Sequence, residues 1–155
     1  MPVNVQLRLA WSQISVFDAN LSDPFNGWNE IHLRQGFAWR VGSVSFKTPL
    51  RHGTIDVKID MPMNPLVQPD ASRAIIVPFT TWAGLVEIST IESRELIEIP
   101  PGRYALLYQH GSDGSSSWCS LDFIPSAHQP VEPEILRGTD DDGPVELLME
   151  AEPAA

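Results

Sequence analysis

The sequence predicts an all-β protein, a single-domain β-sandwich of short antiparallel strands with little helix. Three observations carry that expectation. Apolar and polar residues alternate with a period of two in short bursts along most of the chain. Fourteen prolines and ten glycines interrupt those bursts too often for long helices. The 155 residues, 43% of them apolar, supply one sizeable core and need no second domain.

The elements follow in order. "VNVQLRLAW" puts Val3, Val5, Leu7 and Leu9 on one face, and "QISVFD" offers Ile14 and Val16 before the turn chemistry of "NLSDPFNG". "WNEIHLRQG" reads as a helical turn or two closed by Gly36, with Trp28, Ile31 and Leu33 on its apolar side. In "GFAWRVGSVSF", Phe37 and Trp39 alternate into Gly42 and Val44 and Phe46 alternate out of it, as in two strands bent or bulged at the glycine. "GTIDVKIDM" is the cleanest half-buried strand, with Ile55, Val57 and Ile59 set against Asp56, Lys58 and Asp60. The three prolines of "MPMNPLVQPD" require a loop, after which "RAIIVPF" and "GLVEIST" supply further strands.

In "ELIEI" and "RYALLYQH" the inward residues are Ile97 and Ile99, then Tyr104, Leu106 and Tyr108. The intervening "PPG" is expected to close a hairpin with Gly102 at positive φ. "GSDGSSS" reads as a polar loop, and "WCSLDFIP" sets Cys119, Leu121 and Phe123 inward against Trp118, Ser120 and Asp122. Near the C-terminus "EILRG" and "PVELLMEA" are apolar enough to dock, with "TDDDG" as an acidic loop between them. The expected domain is therefore 1–150, and 151–155 a flexible tail.

The formal net charge is −10, and from His128 onward eight acids face Arg137 alone. Such a surface repels nucleic acid and attracts basic partners, so no direct nucleic-acid binding is expected. The single cysteine, Cys119, gives no internal disulfide and suits a reducing compartment, with the cytoplasm as default. No apolar run approaches a membrane span, and the N-terminus has no secretory pattern.

Chemical centres are hard to find. Cys119 shares its face with Leu121 and Phe123, where a thiol acts as a small hydrophobe, and His110 opens a Gly/Ser-rich loop as an ordinary surface histidine. His32, His52, His110 and His128 stand singly, without metal-ligand spacing. "GSDGSSS" lacks the lysine and helix of a phosphate loop, and "DDDG" lacks the ligand spacing of a calcium loop, so no metal, cofactor or catalytic residue is expected. Five tryptophans leave open a carbohydrate- or small-ligand-binding sandwich, although Trp11, Trp39 and Trp118 fall within strand patterns and read as packing.

The ordered set "ISVFD", "QGFAWRVGSVSF", "RAIIVPFT", "VEIST", "LIEIPPGRYALLYQHG" and "LDFIP" resembles the competence protein J family, over about Gln13 to Pro125. The founding activity of that family is inhibition of a DNA-entry nuclease of competent bacteria. The resemblance implies a small immunity-like inhibitor, not an enzyme, whose partner is a nuclease with a basic DNA groove. Charge places the first candidate contacts at Asp140, Asp141 and Asp142, beyond the resembling stretch. Asp113 in the polar loop and Glu92 and Glu95 beside the strand turn come second.

Overall fold

The structure is a computed structural model that describes residues 2–9, 11–113, 116–126, 130–138 and 147–154. Eleven strands are named in it: β1 (Val3–Leu9), β2 (Gln13–Asp18), β3 (Phe37–Arg40), β4 (Ser43–Lys47), β5 (Gly53–Asp60), β6 (Ala71–Thr81), β7 (Leu85–Ser89), β8 (Arg94–Glu98), β9 (Gly102–Asp113), β10 (Ser116–Pro125) and β11 (Glu134–Arg137), with one helix, α1 (Glu30–Gln35). Two sheets face each other, six-stranded in the order β1-β5-β10-β9-β6-β11 and five-stranded in the order β3-β4-β2-β7-β8. Among the described residues all strand pairings are antiparallel except one, because β5 and β10 run parallel.

The alternation read from the sequence sets what lies between the sheets. Ile55, Val57 and Ile59 from β5, Leu106 and Tyr108 from β9, and Leu121 and Phe123 from β10 meet Ile14, Val16, Val44, Phe46 and Ile88 in one buried cluster. The Tyr108 ring stacks on Phe46 with centroids 4.4 Å apart, and its hydroxyl donates to the Lys47 carbonyl at 2.9 Å, so a large polar aromatic is buried with its polar end satisfied. Asp18 ends β2 and accepts hydrogen bonds from Thr81 Oγ1 at 2.5 Å and from the Trp82 and Ala83 amides at 3.0 Å. Burial opposes its ionisation, yet these bonds outweigh burial and hold the carboxyl below its ordinary value.

Four local expectations are corrected. Arg40 pairs with Ser43, so Val41 and Gly42 form the two-residue turn of a tight hairpin and not a bend or bulge. Gly42 takes φ 80° there. β8 and β9 belong to different sheets, so "PPG" is a crossing from one sheet to the other rather than a hairpin turn. The Tyr104 hydroxyl donates back to the Pro100 carbonyl and braces that corner.

The helix buries His32 and Gln35 and leaves Leu33 exposed, while Trp28 and Ile31 of the expected apolar side are half-buried. Asn29 and His32 form a capping box, and Gln35 exchanges hydrogen bonds with the Leu148 backbone; bonded polar groups can be buried where apolar ones were expected. Trp11, read as packing within a strand, is 60% exposed at the β1–β2 crossing, beneath the Arg51 guanidinium.

The outer faces differ. Residues 23–26 cover that of the five-stranded sheet, where Asn26 donates to the Ala38 carbonyl and Phe25 meets Phe17 edge to face. The segment expected as a tail pairs with this cover: Glu152 accepts from the Gly27 amide at 2.7 Å, and the Ala154 amide donates to Phe25 at 2.8 Å. On the six-stranded sheet a small second cluster of Ala74, Ala105, Leu107 and Ile124 packs against Val67 and Val131. Beyond it, towards β1, the outer face opens into a cleft.

Candidate functional site

The cleft exists because β5 and β10 run side by side. Their register sets Trp118 beside Asp56, Ser120 beside Lys58 and Asp122 beside Asp60. In each strand these are the residues opposite the core set, so both outward rows meet on one surface. On the far side of β5, Asn4 stands beside Lys58 and Gln6 donates to the Asp56 carboxylate at 3.3 Å.

The other wall is the proline-rich loop, pinned by one buried side chain. Gln109 accepts from the Gln68 amide at 2.7 Å and donates to the Leu66 carbonyl at 2.9 Å, bringing Gln68 and Asp70 to the rim. Gly111 permits this approach, since a Cβ there would lie 2.5 Å from the Asp70 carbonyl and 3.0 Å from the Trp118 ring. The recess holds about 340 Å³ and is lined by Asp56, Asp70 and Asp122 with Lys58 as the one cation among the described lining residues, beside Asn4, Gln68, Trp118, Cys119 and Ser120.

Burial, then the neighbouring Asp60, push the Asp122 carboxyl up to about 6, and Lys58 only partly offsets them. Ser120 is 6% exposed, and its Oγ, like Trp118 Nε1, is buried with no hydrogen-bond partner among the described residues. Among those residues no group of three His, Cys, Asp or Glu is arranged to hold a metal ion. Ser120 and Trp118 both belong to the lining of the recess.

Cys119 and His110, read separately from the sequence, are brought together by strand pairing. Cys119 and His110 stand directly opposite each other on β10 and β9, and His110 lies within the strand, half-buried, with its ring 5.7 Å from that of Tyr108. It is not the surface loop residue expected. Burial, then Asp56, push the Cys119 thiol up to about 12; burial, then Arg73 and Lys47, push His110 down to about 4. Both groups stay neutral near pH 7, so no thiolate–imidazolium pair forms.

The expected contact residues fall elsewhere. Asp140, Asp141 and Asp142 lie outside the described residues. Asp113 ends β9 opposite Ser116, so the strand runs through the position read as loop. Glu92 is exposed in the β7–β8 turn, where Thr90 Oγ1 accepts from its amide at 3.2 Å, and Glu95 is exposed on edge strand β8. Both belong to the five-stranded sheet, whereas the cleft is on the other. The signal for the cleft was in the sequence as two outward triplets, Asp56/Lys58/Asp60 and Trp118/Ser120/Asp122, but nothing local joins them.

Two facing sheets, one of them carrying on its outer face a recess lined by Asp56, Asp70, Asp122 and Lys58, define an all-β sandwich. The chain belongs to the Competence protein J (ComJ) family, whose sequence profile matches residues 6–124. Among solved structures it is similar to ComJ from Bacillus subtilis, inhibitor of the DNA degrading activity of NucA, at 18% identity and a TM-score of 0.68, covering 80% of this chain and 96% of that one. It is also similar to the protein of crocagin biosynthetic gene J, at 13% identity and a TM-score of 0.52, covering 81% and 97%. No curated protein sequence matches the chain. At these identities the likenesses show the fold. Asp56, Asp70, Trp118 and Asp122 lie inside the family-matched stretch and Asp140 to Asp142 beyond it.

Proposed function

We propose that this protein inhibits a bacterial DNA-degrading nuclease by binding it and covering its basic DNA groove, and that it is not itself an enzyme. Membership of the Competence protein J family carries the reading, and the B. subtilis relative is an inhibitor of NucA. Physical support comes from charge: a DNA-cleaving enzyme presents a positive groove, and a chain of net charge −10 complements it and is steered towards it. In this reading Asp140, Asp141 and Asp142, with Asp113, Glu92 and Glu95, add to the field that speeds encounter. The buried, free Cys119 suits action in a reducing cytoplasm.

The test is degradation of plasmid DNA by the NucA-type nuclease of the source bacterium, titrated with this protein at several salt concentrations. Inhibition saturating at a fixed molar ratio and weakening as salt rises is the expected result. Full nuclease activity at excess protein, with firm retention on immobilised oligosaccharides, would replace this reading with a sugar-binding one.

A further inference from the structure

We propose that the cleft between β5, β10 and the 61–70 loop is an anchor pocket for an arginine side chain presented by the partner protein. The proposal rests on the reading of the chain as a nuclease inhibitor and adds to it the place and chemistry of contact. Three carboxylates from separate segments, Asp56, Asp70 and Asp122, converge on one space with Lys58 as their only counter-charge among the described lining residues. An incoming cation would pair with these carboxylates.

The floor points to a ligand with several N–H donors. Ser120 Oγ is unpartnered, nine-tenths buried and part of the lining, so it is an acceptor waiting for a donor. A guanidinium carries five N–H groups in a planar fork, enough for two carboxylates and that hydroxyl together. The Trp118 ring forms a wall against which a flat cation can stack, an arrangement that favours arginine over lysine. A metal ion fits less well, since no three-ligand group is present among the described residues. A neutral sugar would bring these carboxylates no counter-charge.

The test has two arms. In the first, the Trp118 indole N–H resonance is followed while a blocked Gly-Arg-Gly peptide, its citrulline counterpart and a mixed oligosaccharide are added in turn. The arginine peptide is expected to shift that resonance with millimolar affinity, and Asp56→Asn with Asp70→Asn to weaken it at least tenfold. Ser120→Ala, which leaves the charges alone, should weaken it several-fold. Equal response to citrulline, no response to arginine, or a larger response to the oligosaccharide overturns the proposal.

In the second arm the same variants are titrated against the NucA-type nuclease, beside Glu92→Gln with Glu95→Gln. Loss of inhibition at least tenfold larger for the cleft pair supports the anchor. If the parent inhibits and the cleft pair inhibits equally well, the anchor is wrong and the inhibitor reading survives. If the parent does not inhibit while the arginine peptide binds with the stated charge dependence, the inhibitor reading falls and the guanidinium selectivity of the cleft stands.

Discussion

Replacing Asp122 by Asn should stabilise the free protein at pH 8. In the folded state the Asp122 carboxyl is raised from 3.8 to about 6, through burial and then the Asp60 charge, so folding weakens its acidity by about two units. At about 1.4 kcal/mol per unit the ceiling of the effect is near 3 kcal/mol. Asp122 is half-buried, and solvent screening reduces that to about 1 kcal/mol. For a chain of this size the change corresponds to a rise in Tm of roughly 2–4 °C.

The sign is fixed by linkage: a carboxyl raised on folding holds its proton more tightly in the folded state. The parent therefore gains stability as pH falls from above 6 towards 4, and the penalty is fully present above 6. Asn carries no such charge at any pH. Thermal melts of parent and variant at pH 8, 6 and 4 should show the variant ahead at pH 8 and the gap closing as pH falls. A variant less stable than the parent at pH 8, or a gap that ignores pH, would refute the reasoning. Because Asp122 faces Asp60 and Lys58 on β5 and the open cleft, the same variant should bind an arginine-bearing partner more weakly, the opposite direction from its stability.

Asp18→Asn should destabilise by about 1–3 kcal/mol, because the carboxylate serves four donors, three on one oxygen and the Asn20 amide on the other, and Asn replaces one of those acceptor oxygens by an NH2 group; a denaturant midpoint measures it. Since that carboxyl is held below its usual value, its contribution is present at neutral pH and is lost as pH falls through its folded value. Gly42→Ala should lower the melting temperature, because φ is 80° there and a Cβ would lie 2.7 Å from the Trp82 ring, costing about 1 kcal/mol in backbone strain alone. The Cys119 thiol, 1% exposed, should react with an aromatic disulfide reagent only as fast as the protein opens, and stoichiometric labelling within seconds in native buffer would contradict its burial.

What was legible in the sequence was whatever depends on a residue's own strand. The inward faces of β5, β9 and β10 follow from period-two alternation, and Gly36 as the helix stop follows from its left-handed backbone at φ 90°. Pairing was not legible. "PPG" announces a change of direction, but the chemistry of two prolines and a glycine is the same whether the chain turns back beside itself or crosses to the other sheet. The cleft suffers more from this. Asp56 and Asp60 read as an ordinary solvated strand face, and Asp122 as another; only the parallel union of β5 and β10 makes them neighbours. Polar burial was likewise hidden, because His32 and Gln35 are inside by virtue of hydrogen bonds to Asn29 and Leu148 that no periodicity records.

Carboxyl footprinting of the inhibited nuclease complex tests the proposed mode of action most directly. Free protein and complex are labelled with a carbodiimide and an amine, and the modification of each acid is read by mass spectrometry. Asp56, Asp70 and Asp122 should lose labelling in the complex while Glu92 and Glu95 on the other sheet keep more of theirs. An inhibited complex in which the three cleft carboxyls are labelled as fully as in the free protein would place the nuclease elsewhere and contradict the anchor.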